Sequence, residues 1–157
     1  TIYEGTTAIQ ANDLIGRKIA REQGATIKEV IAVMRDAAAG LDGDLAGVGE
    51  RQRVAVDALE RAVSWLVANF SAEPKAVHAG AVPFLHLFGI VAGGWQLGRA
   101  ALIARTRFAA GDGDPFWPAK LATTRFFADH FLTQAPGLAE SVVAGAAGAL
   151  DMADDSF

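Results

Sequence analysis

Between Lys75 and Arg99 the chain runs from Ala76 to Gly98 without a formal charge, and no other stretch limits the possible folds so strongly. Its length is that of a bilayer span. His78, Pro83, His86, Gln96 and five glycines lie inside it, however, and Arg99, Arg105 and Arg107 follow directly, all costly or atypical for a lone helix facing lipid. A helix apolar on every side is also what the centre of a helical domain uses. The expectation is therefore a buried central helix over about Lys75 to Ala110, bent at Pro83, and no transmembrane segment.

Periodicity on either side supplies its partners. Ile9, Leu14, Ile15 and Ile19 mark a short amphipathic helix over Thr7–Arg21, with Gly24 as its stop. Thr26, a capping candidate followed by Glu29, opens a second helix through Ile27, Val30, Ile31, Val33 and Met34. After a turn at Gly40–Asp44 and Gly49, Val54, Val56, Leu59, Val63, Leu66, Val67 and Phe70 sustain a third, with Arg51, Arg53, Asp57, Glu60 and Arg61 on its solvent side. Gly111-Asp112-Gly113-Asp114-Pro115 separates the central helix from a fifth, Phe116 to Gln134, which Pro136-Gly137 ends, and Leu138 to Leu150 forms a sixth. Alternating β-branched runs are missing. The fold class that follows is all-α, an antiparallel bundle of about six helices joined by short turns.

With 52% hydrophobic and 20% charged residues the chain has the material for one sizeable core. Its net charge of −4 gives no field favouring nucleic acid. Cysteine is absent, which removes disulfides, thiolate metal sites and cysteine nucleophiles, and an intracellular, cytoplasmic home fits that composition. The opening Thr1-Ile2-Tyr3-Glu4 has neither an initiator Met nor a secretory pattern, as expected of a piece of a longer protein. The one plausible boundary is Gln23-Gly24-Ala25: residues 1–24 balance three bases against three acids, so the negative charge belongs to residues 25–157.

Several constellations carry little chemistry. His78 and His86 stand two turns apart on the expected helix with no third ligand, so no metal is expected. Asp42, Asp44 and Gly47 are out of register for a calcium loop, since Arg53 and Ala46 stand where oxygen ligands belong. No serine lies in a Gly-x-Ser-x-Gly setting. Gly89, Gly93, Gly94 and Gly98 fit tight packing within the bundle, and most of the phenylalanines and tryptophans fit the core, with Phe116-Trp117 placed to dock on another domain or subunit. Arg99, Arg105 and Arg107 could meet a phosphate group, although a solvated or salt-bridged face is the stronger expectation.

The amino-terminal segment is different. Tyr3-Glu4-Gly5-Thr6-Thr7-Ala8 sets a carboxylate on a glycine-containing loop ahead of a helix start, where backbone can approach a ligand and N–H groups face oxygen atoms. From spacing alone a solvated, dipole-complementing Glu4 is the commoner case. The run Ile2 to Gln10, however, resembles the active-site loop of the acyl-CoA dehydrogenases. Asp13 to Lys18, Leu85-His86-Leu87-Phe88-Gly89, Gly93-Gly94-Trp95 and Lys120 to His130 resemble the long branch of that family, which includes enzymes similar to methylthiopropanoyl-CoA dehydrogenase, so the likeness covers nearly the whole chain.

The resemblance implies an oxidoreductase that dehydrogenates an acyl-CoA thioester at its α,β-carbons. Glu4 matches the base that removes the α-proton while the β-hydrogen leaves as hydride to the flavin of FAD. Tyr3 and Gly5 match substrate-pocket positions, and Thr6, Thr7 and Ala8 match the segment touching FAD. Residues 1–24 would then be the catalytic loop and last helix of the enzyme core, and residues 25–157 an all-α accessory domain. The implied partners are acyl-CoA, the remaining dehydrogenase domains, a second copy in a homo-oligomer, and electron-transfer flavoprotein as acceptor. Without the other domains this piece is expected to be inactive. The competing expectation is a self-contained helical scaffold or interaction module in which Tyr3–Thr6 is a linker.

Overall fold

The computed structural model describes residues 7–151, and every regular element among them is helical. In chain order these are α1 (Thr7–Asp13), a π turn (Leu14–Ile19) and a 3₁₀ turn (Ala20–Glu22) continuing it, α2 (Ala25–Ala39), α3 (Ala46–Asn69), α4 (Pro74–Ala79), α5 (Ala81–Ala109), α6 (Phe116–His130), α7 (Ala135–Ala144) and α8 (Ala146–Leu150). Short 3₁₀ turns over Gly43–Leu45 and Leu132–Gln134 precede α3 and α7. The six expected helical segments are all present, as an all-α bundle.

α5 is the axis of the molecule, packing against α1, α2, α3, α6 and α7. At 29 residues it is about 43 Å long, and it is apolar and long enough to cross a membrane by those two measures. Its inward residues Phe84, Leu87 and Val91 are fully buried beside Leu59, Val63 and Leu66 of α3, Met34 of α2 and Val142 of α7. The buried Thr124 of α6 satisfies its hydroxyl by donating to Lys120 O and, at 3.3 Å, to Leu97 O of α5.

The observed boundaries depart from expectation for physical reasons. The central segment is divided at Gly80, where α7 comes so close that an added Cβ would lie 3.1 Å from Val142 O. Pro83 lies in the first turn of α5, three residues past that break, where its missing N–H leaves the Ala79 carbonyl at the end of α4 without that donor. Pro136 likewise opens α7, so Pro136-Gly137 begins the last segment instead of ending α6, which stops at His130. α3 starts at Ala46, taking Gly47 and Gly49 into its first turns. Thr26 is not the cap of α2; Gly24 holds that position, and the Glu22 carboxylate accepts from the Thr26 N–H at 3.2 Å. The chain reverses there through left-handed backbone at Gln23 and Gly24 (φ 57° and 75°).

The aromatic side chains are also less buried than expected. Phe84 is in the core, and Phe88, Trp95, Trp117 and Phe127 pack half-buried against it. Phe108, Phe116, Phe126 and Phe131 are exposed, the last three at 51%, 57% and 38%.

Candidate functional site

The segment that resembles a catalytic loop leads into α1. Tyr3, Glu4, Gly5 and Thr6 lie outside the described residues. Thr7 and Ala8 are the first described residues of α1, and both are exposed.

α1 is held to the bundle along one edge. Ala11, Ile15 and Ile19 recur at four-residue spacing and are fully buried, or nearly so. Between Leu14 and Ile19 the helix widens to a π turn, an arrangement that inserts an extra residue and is frequent at functional sites. Arg17 and Asp13 pair across it at 3.0 Å on the outer side. A shallow apolar groove of about 150 Å³ runs beside this segment, lined by Leu14, Ile19, Ile27, Val30 and Phe88, with Lys18 and Glu22 at its rim.

Polar contact to the bundle comes from α4. His78 Nδ1 lies 3.0 Å from Asn12 Oδ1, and because an amide oxygen only accepts, the imidazole donates. The His78 ring meets Phe70 edge-on, with centroids 5.9 Å apart. His78 and His86 do not share one helix, since Gly80 divides α4 from α5, and both are exposed. Among the described residues no three His, Asp or Glu side chains converge as a metal site would require. Asn12 and Phe70 escaped the sequence reading: helical periodicity marks a face, not the partner it meets, which for Asn12 lies 66 residues away.

The three arginines considered for a phosphate are differently employed. Arg105 Nη1 donates to Asp42 Oδ1 at 2.8 Å and to Asp42 O at 2.9 Å, with Asp44 at 3.5 Å. Arg125 reaches the other oxygen of Asp44 at 2.9 Å. The hydrogen bond from Arg105, and then its charge, hold the Asp42 carboxyl below the usual aspartate range, while the same bond raises the guanidinium. Arg105 is thus salt-bridged. Arg99 lies over Trp95, 5.6 Å from the ring centroid, and bonds Gln96. Arg107 is exposed beside Ile103 and Leu102.

Comparison with known proteins adds identity to this geometry. Residues 23–153 match the family model described as acetyl-CoA dehydrogenase C-terminal like. The chain is 41% identical over 140 residues to 3-methylmercaptopropionyl-CoA dehydrogenase of Ruegeria pomeroyi, an alignment covering 85% of this chain and 23% of that protein. It is 33% identical over 144 residues to the broad-specificity linear acyl-CoA dehydrogenase FadE5 of Mycobacterium tuberculosis, covering 84% of this chain and 23% of the relative. The chain therefore spans about a quarter of the length of these curated relatives.

Proposed function

The chain belongs to the acetyl-CoA dehydrogenase C-terminal like family, and from that premise we propose that it is the carboxy-terminal part of a flavin-dependent acyl-CoA dehydrogenase. The reaction would be α,β-dehydrogenation of an acyl-CoA thioester. One observation carries the reading: Tyr3-Glu4-Gly5-Thr6 precedes the stretch that matches the family model, residues 23–153, with a helix seated on the bundle between them.

In this reading Glu4 is the catalytic base and takes the α-proton onto its carboxylate. The step asks for a carboxylate shielded from water by the bound acyl chain, since desolvation strengthens a carboxylate base. Tyr3 and Gly5 line the thioester pocket. Thr6, Thr7 and Ala8 hold FAD, and the exposure of Thr7 and Ala8 at the start of α1 suits that contact. FAD, when bound, supplies the hydride acceptor. Most cofactor and CoA contacts belong to the remaining domains of the parent, so the isolated chain is expected neither to retain flavin nor to turn over acyl-CoA.

Residues 1–24 then complete the enzyme core and residues 25–157 form an accessory domain, in a cytoplasmic homo-oligomer that passes electrons to electron-transfer flavoprotein. Substituting Glu4→Gln in the full-length parent tests the assignment, because it removes the base at nearly constant shape. Loss of dehydrogenation with flavin retained supports the base. Undiminished turnover would sink it and favour a helical scaffold with Tyr3–Thr6 as a linker.

A further inference from the structure

α5 is apolar on every side, and the bundle leaves one of them open. A helix of that kind belongs in a core, yet only 39% of the residues in its most apolar stretch are buried. The open side has a regular line along it. Val82, Gly89, Gln96 and Ile103 recur at seven-residue intervals, and all four are exposed. A straight helix drifts by only about 20° over each such interval, so the four form one stripe. None of them is charged. Val82 and Ile103 at its ends are 44% and 58% exposed, and a Cβ on Gly89 would stand in open space.

The apolar surface widens on both sides of the stripe. From α6, Phe127 reaches over Gly93, with Cζ 3.2 Å from where a Cβ would lie, and the exposed Phe131 stacks on Phe127 with centroids 4.9 Å apart. On the other side Phe88 and Leu102 line two shallow apolar grooves. From Val82 to Ile103 the face is about 32 Å long at the helical rise, and two helix spacings make it about 20 Å wide. The resulting area of about 600 Å² is of the order of the ~800 Å² that each partner of a standard interface buries.

The order of the residues says what fits there. The stripe reads alike from either end, a branched aliphatic outside and Gly89 or Gln96 inside, about a midpoint between Ala92 and Gly93. A second α5 laid antiparallel on that midpoint sets Val82 against Ile103 at both ends. It also sets Gln96 against Gly89, where the missing side chain leaves room for the amide. A two-fold contact needs such self-matching, because the same patch serves both copies. With no formal charge from Ala81 to Gly98, no like charges are opposed over that length. We propose that the outer face of α5 is the contact between two copies of this chain, their α5 helices antiparallel about Ala92 and Gly93. The proposal rests on the homo-oligomer of the preceding reading, and not on the role of Glu4.

The test uses the full-length parent carrying Val82→Cys and Ile103→Cys together, mildly oxidised, with links located by peptide mass. Position 82 of one copy should join position 103 of the other, because a disulfide asks for Cα atoms within about 7 Å. Either substitution alone should give no link, since antiparallel pairing holds like positions about 32 Å apart. Adding Gly89→Arg should abolish the link. Arginine has room there in the single copy and suits a helix better than glycine, so this loss is not unfolding. Single variants that link as well as the double one, or a link that survives Gly89→Arg, overturn the proposal. Absence of the link overturns it too, whether the thiols are shielded from a maleimide, which means that other domains of the same polypeptide cover the face, or react with it, which means that nothing does. Sedimentation of the unmodified parent separates the two readings: an oligomer without the link overturns this interface alone, and a monomer removes both.

Discussion

α3 and α5 are the two longest helices and pack against each other, yet their sequences secure them by different means. α3 is sorted. Val56, Leu59, Val63 and Leu66 point inward, and its charged residues reach three other helices. Arg35 of α2 pairs with Asp57 and, at 2.6 Å, with Glu60; Arg51 meets Asp129 of α6 at 2.7 Å; Arg61 meets Glu140 of α7 at 2.9 Å. α5 has no charged residue from Ala81 to Gly98. Its depth in the bundle is set by shape: Gly94 lies so close to α3 and the Leu132–Gln134 turn that an added Cβ would fall onto Gln52 Oε1 and within 2.6 Å of Leu132 Cδ2. α3 thus adds exposed ion pairs to its buried face, whereas α5 from Ala81 to Gly98 has only buried volume that has to match.

That contrast can be broken most directly at Phe84, the largest of the fully buried side chains. Phe84→Ala should cost about 3–5 kcal/mol in urea unfolding, the transfer term plus an unfilled cavity. At Gly94 the change runs the other way. Gly94→Ala gains about 1 kcal/mol of helix propensity but crowds Gln52 and Leu132, both buried, which costs about 1–3 kcal/mol. A net loss is expected, and it should shrink when Gln52→Ala is added, because the two changes share one space. An additive pair would show that α5 adjusts its depth freely.

The part of this fold that was legible in the sequence is the part governed by helical period. Ile27, Ile31 and Met34, or Val56, Leu59, Val63 and Leu66, declare a buried face by spacing alone, and the structure buries those residues. Joints were harder, because they depend on what arrives from elsewhere. Pro136 reads as a breaker until its place in a first turn is known, and the break near Pro83 falls three residues earlier, at Gly80, where α7 passes close by. Gln52 was invisible as a core residue: it is buried with Nε2 donating to Val91 O at 3.1 Å, a bond across 39 residues. The candidate site divides the same way. Its glutamate was legible through a motif and lies outside the described residues, whereas Asn12, Phe70 and His78 meet through contacts that no local pattern announces.

On α3 the expected effects are smaller. Arg61→Ala breaks an exposed pair with Glu140 and should change unfolding free energy by less than about 1 kcal/mol, falling further in high salt. A loss comparable to that of Gly94→Ala would mean that α3 depends on its outer charges as much as α5 depends on its fit.

The smallest effect concerns acid. Asp42 accepts from Arg105 of α5, and that bond, followed by the guanidinium charge, lowers its pKa in the folded chain. Glu50 is lowered in the same way by Arg53, first through their hydrogen bond. A carboxylate whose folded value is lowered binds its proton more readily when unfolded, so its contribution is fully present above the ordinary carboxylate range and is lost as pH falls through the folded value. Asp42→Asn removes the titrating group but leaves Arg105 its bond to the Asp42 backbone oxygen. Urea midpoints measured as a function of pH should therefore run parallel for the two proteins above about pH 5 and fall less steeply for the variant below about pH 4. Identical acid slopes would show that the Arg105 bridge, unlike the glycine contacts further along the same helix, contributes nothing to holding α5 in place.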